Sequence, residues 1–173
     1  MKENWDQCFA MVIKSEGGFV DNPKDPGGMT NLGVTRFAWQ GFLNRDVTEI
    51  EMRALTPEAV KPFYKALYWD RIKGDSLPSG IDYAAYDFAV NSGPHKAAQY
   101  LQEIAGVSVD GMIGPKSLEA IKSCDAKETA DAICDMRLDF LKRLSTFETF
   151  GRGWADRVGR VKAKAISMAD EAR

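Results

Sequence analysis

Apolar residues recur at helical intervals along most of the chain. Trp5, Phe9, Val12 and Ile13 share one face, which predicts an amphipathic helix over residues 4–15. Gly17 and Gly18 follow, and glycine readily takes the left-handed conformation that closes a helix. The pattern changes over residues 19–35, FVDNPKDPGGMTNLGVT, where prolines, glycines and Asx residues interrupt short apolar stretches. That composition predicts a tight hairpin or small irregular sheet. Thr35 is placed to cap a helix over 36–44, and Thr56-Pro57-Glu58 opens another that ends near Trp69. Ile81, Ala84, Ala85, Phe88 and Ala89 stripe a helix that stops at Gly93, and a helix over 95–105 ends at Gly106. After an Asp110-Gly111 turn, Pro115 suits the first position of a further helix. Asp125 with Glu128 resembles a capping box for a long helix to about Thr146, and Trp154, Val158, Val161 and Ala165 stripe the last one. The predicted fold class is mainly α, with a small β-hairpin or sheet after the first helix.

A length of 173 residues suits one compact domain with two lobes. We place the lobe boundary between residues 1–93 and 94–173, at Asn91-Ser92-Gly93-Pro94, which is a turn and too short for a linker. The first lobe holds few helices, and the helix from about residue 126 carries an apolar stripe (Ile133, Met136, Phe140, Leu141, Leu144) that needs a partner. One compact unit is therefore expected.

Composition narrows the function classes. With 45% hydrophobic and 28% charged residues the chain is globular, not disordered. A formal net charge of -2 excludes a dedicated nucleic-acid binder. The segment from Arg137 to Lys164 is nevertheless basic, with a net charge of +5. A solvated helix face explains it more simply than a polyanion site, although Arg152 and Arg157 are candidates to meet an anionic glycan. No apolar run approaches the ~20 residues of a membrane span, so stable membrane insertion is not expected. The N-terminal segment carries acids and no apolar core, so no signal peptide is expected and synthesis is cytoplasmic. Cys8, Cys124 and Cys134 are odd in number and widely spaced, which argues against a disulfide framework or zinc site and for small buried apolar residues. No metal or cofactor is expected, and the lone histidine, His95, has no ligand or triad partners in its surroundings in sequence.

The chemistry concentrates around Ser15-Glu16-Gly17-Gly18-Phe19. Glu16 falls at the C-terminal end of the first helix, where the helix dipole disfavours an ionised carboxylate. A carboxyl that keeps its proton is what a general acid needs to protonate a glycosidic oxygen. Two glycines beside it leave room for a bulky substrate. Asp25 lies within Pro23–Gly28, a run of turn residues that can fold it back opposite Glu16, and Thr30 follows. A carboxylate there steers water or stabilises positive charge on a sugar, and a threonine hydroxyl positions the water. Asp25 and Thr30 also suit plain turn and cap roles.

The runs E-G-G-F and D-P-G-G-M-T-N-L-G-V-T resemble the signature of glycoside hydrolase family 108 lysozymes, N-acetylmuramidases with an essential glutamate in E-G-G-Y. Here Phe19 replaces the tyrosine. The spacing also resembles the Glu–Asp–Thr triad of phage-type lysozymes with the threonine one residue closer, so Thr30 and Thr35 both remain open as the site threonine. Tyr68-Trp69-Asp70 and Asp87–Gly93 are similar to later motifs of the family, and Asp110-Gly111-Met112-Ile113-Gly114-Pro115 is similar to a turn of its peptidoglycan-binding segment. The resemblance implies a lysozyme-like fold and cleavage of the β-1,4 bond between N-acetylmuramic acid and N-acetylglucosamine, with Glu16 as acid and Asp25 and Thr30 assisting. Tyr68, Trp69 and Tyr86 are candidate platforms for sugar faces, Asn91 a candidate for N-acetyl contacts or a helix cap, and Asp87 a further cleft candidate. The expected partners are peptidoglycan glycan strands, and a holin or dedicated export route for passage to the periplasm and cell wall. A monomer is expected. A lytic transglycosylase, a chitinase and a non-enzymatic wall-binding secretion helper are the alternatives.

Overall fold

The apolar stripes become helices in the computed structural model, which describes residues 1–21 and 28–172. The contacts divide the chain into two units, a smaller one of Phe9–Ala66 and a larger one of Met1–Cys8 with Leu67–Arg173. The boundary placed at residue 93 falls inside the larger unit.

The predicted first helix is α1, Trp5–Ile13, which belongs to the smaller unit from Phe9 on, and it ends earlier than the glycine pair suggested. Ser15 and Glu16 N–H groups bond back to the Val12 and Ile13 carbonyls, closing the helix in a tight turn. Neither Gly17 nor Gly18 takes a left-handed φ. The small sheet follows. β1 (Thr30–Asn31) pairs antiparallel with β2 (Val34–Thr35), and Val20 bridges to Thr30 on the other side. Thr35 accepts a hydrogen bond from the Ala38 N–H and caps α2, Arg36–Leu43, as expected. A short helix, α3 (Glu49–Arg53), was not predicted. It is held by a reciprocal capping box between Thr48 and Glu51. Hydrogen bonds from Arg45 and Thr48 hold the Glu51 carboxyl down at about 2, so the box stays ionised as pH falls until that range is reached. α4, Pro57–Tyr64, starts on the Thr56 cap. It does not run regularly to Trp69 but widens into a π-helical stretch over Lys65–Trp69.

In the larger unit, α5 (Ile81–Ser92) is covered nearly all round, and every residue from Ile81 to Ala89 is buried, Asp82 and Asp87 included. A helix of that kind must be covered on several sides. α6 (Pro94–Ile104), α8 (Ala126–Lys142) and α9 (Phe147–Glu171) pack against it, while α7 (Pro115–Ser123) leans on α6. Asp125 accepts from the Glu128 N–H and caps α8. α8 stops at Lys142, a turn earlier than predicted, because Arg143 and Leu144 bond back three residues to Phe140 and Leu141. The short connection returns the chain as α9, which packs along α8.

The basic segment is not simply a solvated face. Arg137 is buried and sits 2.6 Å from the Asp87 carboxylate, and Arg157 grips the same carboxylate at 3.0–3.1 Å. Asp87 itself is buried, so it is a structural anchor between three helices and not a cleft carboxylate. Arg157 is correspondingly committed and is withdrawn as a glycan contact. Lys162 lies between Asp131 and Asp135, and its hydrogen bond to Asp135 raises its pKa. Cys8 and Cys134 are buried as expected, and burial pushes the Cys134 thiol up to about 12. Cys124 is half-buried, its thiol bonded to the Ala120 carbonyl. No helix of the described residues is long and apolar enough to cross a membrane.

Candidate active site

Glu16 sits just past α1, half-buried, in the smaller unit. What holds it is the hairpin between β1 and β2. The two turn residues, Leu32 and Gly33, both have positive φ, at 50° and 72°. This is the primed turn whose twist matches antiparallel strands. Leucine is strained there by about 1–2 kcal/mol, since its Cβ crowds the following carbonyl. Two long-range hydrogen bonds fix the strained turn. The Tyr64 hydroxyl donates to the Leu32 carbonyl at 2.7 Å, and the buried Asn31 amide donates to the Met52 carbonyl at 2.8 Å.

Gly33 is where these parts meet. A Cβ at that position would lie 2.7 Å from Glu16 Oε2, 3.1 Å from Glu16 Cγ and 2.5 Å from the Tyr64 hydroxyl oxygen. The carboxyl therefore rests directly on the turn backbone, beside the phenol that anchors the turn. Glycine is required at 33 for its φ and again for its missing side chain. Gly33→Ala should lower the melting temperature, through strain of about 1–3 kcal/mol. On the expectation that Glu16 is the acid, it should also cost roughly tenfold or more in turnover measured well below melting, because the carboxyl would be displaced. A variant that melts early yet turns over normally would separate Gly33 from the chemistry.

Among the described residues, a Cβ on Gly17 or Gly18 would meet nothing within 4 Å. Phe19, at the tyrosine position of E-G-G-Y, is covered by the Arg53 guanidinium 3.9 Å from its ring centroid. Thr30 is tied to this segment by paired backbone bonds with Val20 at 2.7 and 2.8 Å. Asp25 lies outside the described residues. Tyr64 and Gly33 escaped the sequence reading. The only local signal was the Asn31-Leu32-Gly33 turn, and Tyr64 is far from it in sequence.

The sugar-platform candidates belong to the larger unit, and two of them are corrected. Trp69 and Tyr86 are fully buried, packed edge-on to each other at 5.5 Å, with Trp5 edge-on to Tyr86 at 5.5 Å and tilted against Trp69 at 5.3 Å. The Trp69 N–H is spent on Asp75 at 2.8 Å. Rings in that position build core and offer no face to a sugar. Tyr68 and Asn91 are partly exposed, and the Asn91 side-chain oxygen accepts from Ser92. Among the described residues no group of His, Cys, Asp and Glu is arranged to hold a metal ion.

Comparison with known proteins adds two family matches. Residues 9–93 match Glycosyl hydrolase 108, and residues 96–159 match a predicted peptidoglycan domain. No curated protein matches the chain. Among solved structures, Brucella abortus SagA is 42% identical, with a TM-score of 0.87 over 98% of this chain and 97% of that one.

Proposed function

The chain belongs to the glycosyl hydrolase 108 family and is a peptidoglycan-acting glycoside hydrolase with a lysozyme-like fold, and from that premise we propose that it cleaves the bond between N-acetylmuramic acid and N-acetylglucosamine with Glu16 as general acid. The observation that carries this assignment is the seat of Glu16. Its carboxyl is set against Gly33 in a turn pinned by Tyr64 and Asn31, and among the described residues none comes within 4 Å of where a Cβ on either following glycine would stand. Glu16 gives its proton to the glycosidic oxygen as the bond to the muramyl anomeric carbon breaks. The anomeric centre gathers positive charge and takes up water. Asp25 is assigned to that water or that charge. Thr30 is assigned to holding the water, in preference to Thr35, whose hydroxyl oxygen already accepts from the Ala38 N–H as the cap of α2.

Digestion of purified peptidoglycan tests this directly. Hydrolysis leaves reducing muramic acid ends, transglycosylation leaves 1,6-anhydro ends, and a wall-binding helper leaves the polymer intact. Either of the last two outcomes overturns the proposal. The threonines separate by their readouts. Thr30→Ala and Asp25→Ala should lower turnover with little change in melting, whereas Thr35→Ala should cost about 0.5–2 kcal/mol of stability and keep activity. The reverse pattern for the threonines would move the role to Thr35.

A further inference from the structure

Two adjoining cavities flank the loop Asp110–Gly114, entirely within the larger unit. The first, of about 520 Å³, is lined by Asp70, Arg71, Lys73, His95 and the loop itself. The second, of about 620 Å³, runs along Val107, Met112, Pro115 and Lys116. Both fall in the size range of ligand sites. Met112 stands between them and is 69% exposed, an unusual position for a large apolar side chain.

The loop is rigid by construction. Gln102 of α6 is fully buried and spends its amide on the loop and on Ser117 of α7 beside it. Its Nε2 donates to Asp110 Oδ1 at 2.8 Å, to the Met112 carbonyl at 3.1 Å and to Ser117 Oγ at 3.1 Å. Its oxygen accepts from the Asp110 and Gly111 N–H groups at 3.1 and 2.8 Å. The His95 ring packs against Gly111, where a Cβ would come within 2.2 Å of it, and Gly111 has a φ of +75°. On the opposite wall Lys73 also holds a left-handed φ, of 59°, without being glycine. Such strain persists where the surroundings fix it, and binding sites are a common place for it.

The chemistry of the walls is mixed and specific. Arg71 and Lys73 are exposed, and among the described residues they make no ion pair. Asp110 is held ionised by Gln102 and the Met112 N–H through one oxygen, and its other oxygen makes no hydrogen bond among the described residues. The site thus offers cations for carboxylates, a carboxylate for an amine, and an apolar ridge for methyl-sized groups. A glycan strand is a poor match, because its sugars carry hydroxyls and amides and no free carboxylate where stems are attached. The peptide stem is a good match, because it alternates methyls, carboxylates and an amine.

We propose that the cleft over His95, Gly111 and Met112, walled by Arg71 and Lys73, binds the peptide stem of peptidoglycan and so selects stem-bearing strands. This rests on the peptidoglycan substrate assigned above. The test is a titration of the full chain with synthetic L-alanyl-γ-D-glutamyl-meso-diaminopimelate, followed by backbone amide shifts and a dissociation constant. Saturable shifts are expected at Gly111, Met112 and Gly114. An Arg71→Ala/Lys73→Ala double variant, both exposed positions, should weaken binding by about tenfold without a change in melting temperature. Chitotetraose should leave those amides unmoved. No saturable shift with the tripeptide, unchanged affinity in the double variant, or equal shifts with the sugar would each overturn the proposal, the last by making the cleft a glycan subsite. Lysis without tripeptide binding sinks the stem site and leaves the hydrolase standing. Tripeptide binding by a protein that does not cleave peptidoglycan does the opposite.

Discussion

Glu16→Gln should abolish lysis of peptidoglycan and leave the melting temperature where it is. Glutamine keeps the shape of the side chain, so its Cγ and amide still rest on Gly33, and the turn pinned by Tyr64 and Asn31 has no reason to move. The amide has no proton to deliver to a glycosidic oxygen. A positioned general acid contributes roughly 10²–10⁴-fold, and glycosidic oxygens leave poorly without one. Turbidity loss of peptidoglycan suspensions should therefore fall by about 10²-fold or more, with no shift in affinity for the insoluble wall. Residual activity above a few per cent would place the acid elsewhere. Loss of the cooperative melt would make Glu16 a fold residue first.

The parts legible in the sequence are those whose cause is local. Thr35 and Asp125 mark helix starts because a cap acts within three residues, Pro57 and Pro115 because proline suits the first helical position, and all four do so here. The E-G-G run located Glu16, and the turn-rich stretch after it located the hairpin. α3 was missed because five residues are too few to show a period, although Thr48 and Glu51 carried the capping-box spacing that would have revealed it. Other misses were failures of range. Whether an aromatic is core or platform depends on what packs over it, and Trp5, Trp69 and Tyr86 meet across the chain. Asp87 looked like a cleft carboxylate until its partners, far along the chain at Arg137 and Arg157, were in view. Gly33 did not stand out among the glycines of its stretch because the clash that fixes it comes from Glu16 and Tyr64. His95 had no partner in sequence, and its partner turned out to be a glycine backbone.

Residues 1–93, produced alone, should neither melt cooperatively nor lyse peptidoglycan. The two family matches meet between residues 93 and 96, which invites the view that the C-terminal part is a detachable wall-binding appendage. The packing of α5 argues against it. Its residues Ile81–Ala89 are all buried, and the helices that cover it, α6, α8 and α9, begin at Pro94 or later. A cut at 93 would uncover Ile81 and Phe88, at about 1.5–3 kcal/mol for each such side chain. It would also remove both arginines from Asp87. With α8 and α9 gone the carboxylate is open to water, and the anchor that ties the three helices together is lost with them. Whole-domain stabilities are only about 5–15 kcal/mol, so the combined loss leaves no margin. Circular dichroism of the fragment should show a shallow, non-cooperative thermal trace, and mixing in residues 94–173 should restore both the sharp transition and lysis. A fragment that melts sharply and lyses by itself would show instead that the catalytic lobe carries its own core and that residues 94–173 are an appendage.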